Sequence, residues 1–270
     1  MKKNKKIVGI IDYGMGNLHS VEQFFKRKHL SLKRIKAPHD LNNCNALILP
    51  GVGSFTPAMI NLRKTNLIPE LKKWALEKKP LLGICLGLQL MFESSDEGKE
   101  KGLGLIKGQV KNLPIKKGHH IPHMGWAPLK QEKECPLLDK ENMHQWMYFV
   151  HSYYVNAIGD YVTSTTSYEN FTCCGSISFK NIFACQFHPE KSADFGLSIF
   201  DCLRPKSPKP NSGPRALLMR PNGSELRSLF SGVLSHDVLV MIKLSTSNFC
   251  VISEIKRVLP IPCSPITIRQ

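Results

Sequence analysis

The sequence predicts an α/β protein: an open, mostly parallel sheet flanked by helices, extended by an added antiparallel β section. Three observations carry this. Short apolar runs at 7–11, 46–49 and 81–84 have the length of buried strands. Each is followed by a glycine-bearing turn, and helical patterns lie between them, the alternation that builds parallel sheets. Beyond about residue 102 the chain changes to short strand-like runs separated by turns.

Taken in order, the run 7–11 leads into Asp12-Tyr13-Gly14-Met15-Gly16-Asn17, and 18–28 has helical spacing. His19 stands where a dinucleotide fingerprint needs its third glycine, so this G-x-G is a loop at a strand's carboxyl end. In an open sheet that edge carries ligand or partner contacts. The strand at 46–49 ends in Pro50-Gly51-Val52-Gly53. Such a loop reads either as a plain turn or as a source of free N–H groups for an anion. Residues 67–78 form an amphipathic helix. Later strands are expected at 102–106, around Val110, and at 123–129, 147–155, 171–177 and 182–187.

Composition narrows the class. The chain has 270 residues, 42% hydrophobic and 21% charged, as globular proteins do. No apolar run approaches the roughly 20 residues needed to span a bilayer. The basic start, Met1 to Lys6, precedes a short strand-like run without a cleavage site, so a cytoplasmic protein is expected, with no membrane partner. The formal net charge of +16 invites a nucleic-acid reading, but no aromatic-basic interleaving accompanies it, and a lysine-rich solvated surface is expected instead. Nine scattered cysteines without C-x-x-C fit neither a disulfide framework nor a zinc site. His119, His120 and His123 cluster, but Pro122 breaks any helix that would align them, and no metal is expected.

Two stretches carry chemistry. Leu82-Gly83-Ile84-Cys85-Leu86-Gly87 places a cysteine between two glycines where a strand should turn sharply into a helix. Glycines relieve crowding at such an elbow. Backbone N–H groups there stabilise a thiolate and a developing oxyanion. A buried structural cysteine would look the same. The second stretch is Gln186-Phe187-His188-Pro189-Glu190-Lys191-Ser192. Pro189 keeps His188 extended, and extended residues two apart share a side, so Glu190 can orient the imidazole while its other nitrogen takes a thiol proton.

Together these stretches resemble the class I (triad-type) glutamine amidotransferases. The loops 11–18 and 49–55, Pro122-His123-Met124-Gly125-Trp126 and Tyr148-Phe149-Val150-His151-Ser152-Tyr153-Tyr154 occur in family order. Within the family they are most similar to the glutaminase subunits of imidazole glycerol phosphate synthases. The resemblance covers roughly residues 6 to 200. It implies a flavodoxin-like core and a Cys85, His188, Glu190 triad. It implies an oxyanion hole at Gly51, Val52 and Gly53 with the Leu86 N–H. Gln89, Glu97, Ser152 and Tyr153 would bind glutamine, and Tyr148, Lys191 and Trp126 would lie near a partner. The partner would be a β/α-barrel cyclase in a heterodimer, receiving ammonia for histidine biosynthesis; no cofactor is implied. A paralogous reading sends the ammonia to a sugar amidotransferase of surface-polysaccharide synthesis instead.

Residues 201–270 differ in character, with eight prolines and ten basic against four acidic residues. This segment is expected to be disordered or unrelated to the domain at 1–200.

Overall fold

The computed structural model describes residues 6–28, 30–114, 120–138, 145–157 and 160–203, with short strands at 243–244 and 250–251. The chain forms two compact units, Met1–Ser207 and Pro208–Gln270. In the second, β14 (Lys243–Leu244) and β15 (Cys250–Val251) pair antiparallel. The rest of the expected disordered tail lies outside the described residues.

The first unit is built on an eight-stranded sheet. Its strands are β1 (Ile7–Ile11), β2 (Ser31–Ile35), β3 (Cys44–Leu49), β4 (Leu81–Ile84), β8 (Lys130–Gln131), β11 (Val162–Tyr168), β12 (Phe171–Phe179) and β13 (Ile182–Cys185). The order is β2-β1-β3-β4-β13-β12-β11-β8. The first five run parallel; β12, β11 and β8 are added antiparallel. Successive residues of the parallel strands feed two cores. In β3, Leu47 and Leu49 enter one and Ala46 and Ile48 the other. A strand covered on both faces therefore reads as a continuous apolar run.

Helices cover both faces. In α1 (Leu18–Arg27), Val21, Phe24 and Phe25 form the buried stripe, and Phe24 stacks on Phe200 at 4.8 Å. α2 (Phe55–Lys64) and α3 (Ile68–Leu76) pack into the opposite core. α4 (Leu86–Leu90) follows β4. β5 (Ser94–Ser95), β6 (Gln109–Asn112) and β10 (Tyr153–Asn156) form a three-stranded sheet, and β7 (His123–Pro128) pairs with β9 (Trp146–His151). α5 (Ala193–Ser198) and a 3₁₀ turn through Leu203 close this unit.

Several expectations need correction. The predicted strand at 102–106 is a loop. The N–H groups of Gly102, Leu103 and Leu105 go to the carbonyls of Glu93, Leu90 and Met91, so the segment caps the end of α4. The run at 147–155 is two strands broken at Ser152, β9 pairing with β7 and β10 with β6. The helix expected at 67–78 spans Ile68–Leu76. β2, α2 and β11 lie outside the expected set. β2 is a polar edge strand with only Ile35 buried, and β11 buries Thr163, Ser164 and Thr166 rather than apolar side chains.

Candidate active site

Three neighbouring strands, β3, β4 and β13, bring their carboxyl ends to one place, where open α/β sheets bind ligands. After β3 comes the loop Pro50 to Ser54, after β4 comes Cys85, and after β13 come Gln186, Phe187 and His188. A cleft of about 380 Å³ opens there, lined by Val52, Gly53, Cys85, Leu86, Gln89 and His188, among others. Glu97, Ser152 and Tyr153 line it too, so every residue expected to bind substrate reaches one cavity.

The elbow is strained as its glycines suggest. Cys85 has φ 52° and ψ −108°, a conformation non-glycine residues rarely adopt. Its N–H bonds the Cys185 carbonyl at 2.8 Å, tying the elbow to β13. A Cβ on Gly87 would lie 1.8 Å from the Leu49 carbonyl oxygen, so only glycine allows β3 to pass. α4 has five residues, too short for a sizeable macrodipole, and any N–H effect at Cys85 is therefore local.

His188 faces the sulfur from the neighbouring strand end. Its Nδ1 lies 2.8 Å from Glu190 Oε1, both side chains being 2% exposed. The chain turns into a 3₁₀ turn at Pro189–Lys191, which folds the carboxylate back under the ring. His188 Nε2 is buried with no hydrogen-bond partner in the protein, the position a proton acceptor for Cys85 needs. Burial opposes charging the ring. The Cys85 sulfur and the Glu190 carboxylate outweigh it and raise the His188 pKa to about 10.

The expected oxyanion residues divide. Val52, Gly53 and Leu86 line the cleft. Gly51 instead packs against the elbow, where a Cβ would meet Leu86 at 2.7 Å and the Tyr13 hydroxyl at 2.8 Å. That hydroxyl donates to the Pro50 carbonyl at 2.8 Å and pins the base of the loop. Gly53 has φ +96°, which glycine adopts without strain. Glu97 Oε2 accepts the Phe55 N–H at 2.7 Å, joining the start of α2 to the cleft.

The three residues expected near a partner stand outside the cleft, with Tyr148 between the other two. Lys191 Nζ lies 5.5 Å over the Tyr148 ring, and Trp126 meets that ring edge-on at 6.0 Å. The Tyr148 carbonyl accepts the His188 N–H at 2.9 Å, which links the cluster to the His188–Glu190 pair. Around it Ile121, Met124, Trp126 and Trp146 are roughly half exposed.

Sequence reasoning missed two groups. Gln186 is fully buried beside the sulfur, 3.7 Å from Cys85 Sγ. His123 and His151 bond each other at 3.1 Å, and His151 Nδ1 donates to the Tyr153 carbonyl at 2.9 Å. Burial lowers the His123 pKa to about 4, and burial with the neighbouring His123 lowers that of His151 to about 3. Cys173 Sγ lies within 4.8 Å of this pair, and His151 has both ring nitrogens engaged, with His123 and with the Tyr153 carbonyl. Of the histidine cluster expected in the sequence, His119 lies outside the described residues, and the His120 carbonyl accepts the Tyr168 hydroxyl.

This arrangement can be set beside known proteins. The chain matches the glutamine amidotransferase class-I family over residues 9–198. The chain belongs to that family. This amidotransferase is 62% identical over 190 residues to the imidazole glycerol phosphate synthase subunit HisH of a Prochlorococcus marinus strain (SARG), covering 70% of this chain and 89% of the relative. It is 59% identical over 189 residues to the HisH subunit of a second Prochlorococcus marinus strain (MIT 9211), with the same coverage. A crystal structure of a glutamine amidotransferase superposes with a TM-score of 0.58 at 20% identity, over 73% of this chain and 98% of that one. That likeness shows the shared amidotransferase fold.

Proposed function

We propose that the cleft hydrolyses L-glutamine to glutamate and ammonia, and that the chain is the glutaminase subunit of an imidazole glycerol phosphate synthase, serving histidine biosynthesis. The observation that carries this reading is the buried His188–Glu190 pair beside Cys85 at its strained elbow. Cys85 Sγ, its proton already held by His188, attacks the side-chain amide carbon as the thiolate. The tetrahedral oxyanion is held by backbone N–H groups of Val52 or Gly53 and of Leu86. The C–N bond then breaks, ammonia leaves with the proton from His188, and a γ-glutamyl thioester remains. Water, activated by the same imidazole, releases glutamate. Gln89, Glu97, Ser152 and Tyr153 hold the polar ends of the substrate.

The ammonia acceptor is a β/α-barrel cyclase, bound as a heterodimer in the cytoplasm. The exposed apolar face around Trp126, with Tyr148 and Lys191, supports a docking surface there. Its link through the Tyr148 carbonyl to His188 gives the partner a route to the triad. The experiment measures glutamate release by the chain alone, with the barrel subunit, and with barrel plus acceptor ligand. The rate is expected to rise only in the last two mixtures and to vanish in Cys85→Ala, while ammonia-dependent synthesis by the barrel survives. Glutamate release by Cys85→Ala at the parent rate would refute the site. Equal rates in all three mixtures would point to a free-standing hydrolase.

A further inference from the structure

We propose that Gln186 is an obligate hydrogen-bond donor to the catalytic sulfur, its polarity imposed by a chain of amides that begins at the Tyr153 carbonyl. The inference deepens the proposed glutaminase reading and rests on Cys85 being the nucleophile.

A backbone carbonyl can only accept. The Gln89 side-chain atom 3.0 Å from the Tyr153 oxygen must therefore be its nitrogen, Nε2. That same nitrogen lies 3.1 Å from the side-chain amide of Gln186. Two donors cannot face each other, so Gln186 turns its oxygen to Gln89. Its nitrogen is then left pointing at Cys85 Sγ, 3.7 Å away. Amide orientation is usually a matter of choosing between two fits, but here the fixed carbonyl decides it.

The surroundings keep the chain of amides in place. Gln186 is fully buried and Gln89 is 5% exposed, so water has little access to the bond between them. The Gln186 main-chain N–H is held by the Gly175 carbonyl at 2.9 Å. A donor aimed at sulfur favours the thiolate over the thiol, because the bond strengthens when the acceptor is charged. His188 approaches the sulfur as the base; Gln186 supplies a second, neutral donor that carries no proton away. Gln89 gains a second task as a positioning residue. With its nitrogen spent on Tyr153 and Gln186, it is left with its oxygen for the cleft, where it can accept from a donor on the substrate.

The test follows the rate of Cys85 alkylation by iodoacetamide against pH in the full-length chain, read by mass spectrometry of the Cys85 peptide so that the other cysteines do not interfere. Gln186→Met keeps the bulk and removes the N–H. The midpoint is expected to rise by about one pH unit, a tenfold weaker thiolate. Gln186→Leu is the second variant should the methionine chain not fold. Gln89→Glu reverses the polarity at the head of the chain of amides. It is expected to raise the midpoint more in the parent than in the Gln186→Met background, since only the parent has an amide to turn. A merely structural role would lower the melting temperature and leave the midpoint where it was. An unchanged midpoint in a folded Gln186 variant, or shifts that simply add, would overturn the proposal. Alkylation does not require glutamine turnover. If the shifts appear but the parent protein releases no glutamate even with the barrel subunit and acceptor ligand, the glutaminase reading alone is refuted.

Discussion

At the residue scale, the buried acid–base pair decides how the site responds to pH. Glu190 helps hold His188 protonated up to about pH 10. Glu190→Gln keeps the shape and removes the charge, so the His188 pKa falls and the imidazolium is lost earlier as pH rises. The alkaline limb of the glutaminase pH profile should move to lower pH, and the rate at neutral pH should drop by about 10²–10⁴. An unmoved alkaline limb would mean that Glu190 only packs. His123 and His151 act in the opposite sense. Their folded pKa values, about 4 and about 3, lie below the usual 6.5, so below pH 6.5 the unfolded chain binds protons that the folded chain does not. Stability is complete above pH 6.5 and is lost as pH falls toward 4. Between pH 7 and 5 the loss should be about 2 kcal/mol for each histidine, measurable by urea unfolding. His123→Phe preserves the ring stack with Phe149 and Tyr168 and should roughly halve that dependence, leaving the share of the buried His151. An equally steep curve would move the acid sensitivity elsewhere.

At the element scale, the elbow depends on how closely β3 passes α4. A Cβ at Gly87 would meet the Leu49 carbonyl at 1.8 Å, and backbone cannot step aside cheaply. Gly87→Ala should cost about 3 kcal/mol or more, at the upper end of overpacking. Gly104→Ala is the control. Nothing lies within 4 Å of its Cβ, and only its φ of +63° is strained, so about 1 kcal/mol is expected. Comparable urea midpoints for the two variants would show that β3 can shift. The elements that escaped the sequence reading have a physical cause. α2 carries its stripe at Phe55, Ala58, Met59 and Leu62, a spacing that could have been found, but it starts directly behind the glycine loop with Pro57 in its first turn. β11 buries hydroxyls paired across the sheet, Thr163 and Ser164 with Ser176 at 2.8 and 2.6 Å, and so carries no apolar signature. Hydrophobic periodicity finds elements that bury carbon and passes over those that bury satisfied polar groups.

At the scale of the whole molecule, the family match ends at residue 198 and the first compact unit ends at Ser207. Truncation after Ser207 is expected to leave the thermal midpoint within about two degrees and the partner-stimulated rate unchanged, since the removed residues lie outside both the family match and the first compact unit. A fall of several degrees would show that the removed segment packs on the domain. Cutting after Ile199 should behave differently. It removes Phe200, Cys202 and Leu203 from the core against α1, and a drop of several degrees is expected in calorimetry.

The sequence alone determined the parallel core, the strand-to-helix elbow at Cys85 and the His188–Glu190 pair, because each is written in neighbouring residues. Ile84-Cys85-Leu86 between two glycines and His188-Pro189-Glu190 are local patterns whose spacing already implies their geometry. What only the tertiary structure decided is which distant groups meet. Strand order places the ends of β3, β4 and β13 side by side, and so brings Gly53, Cys85 and His188 to one cleft. It also sets Gln186 against Cys85, 101 residues away in the chain, and His123 against His151. Their roles come from partners that no local window contains. A glutamine becomes a donor to sulfur, and a histidine becomes a buried neutral base, only when a fixed carbonyl and a closed core leave it no other choice.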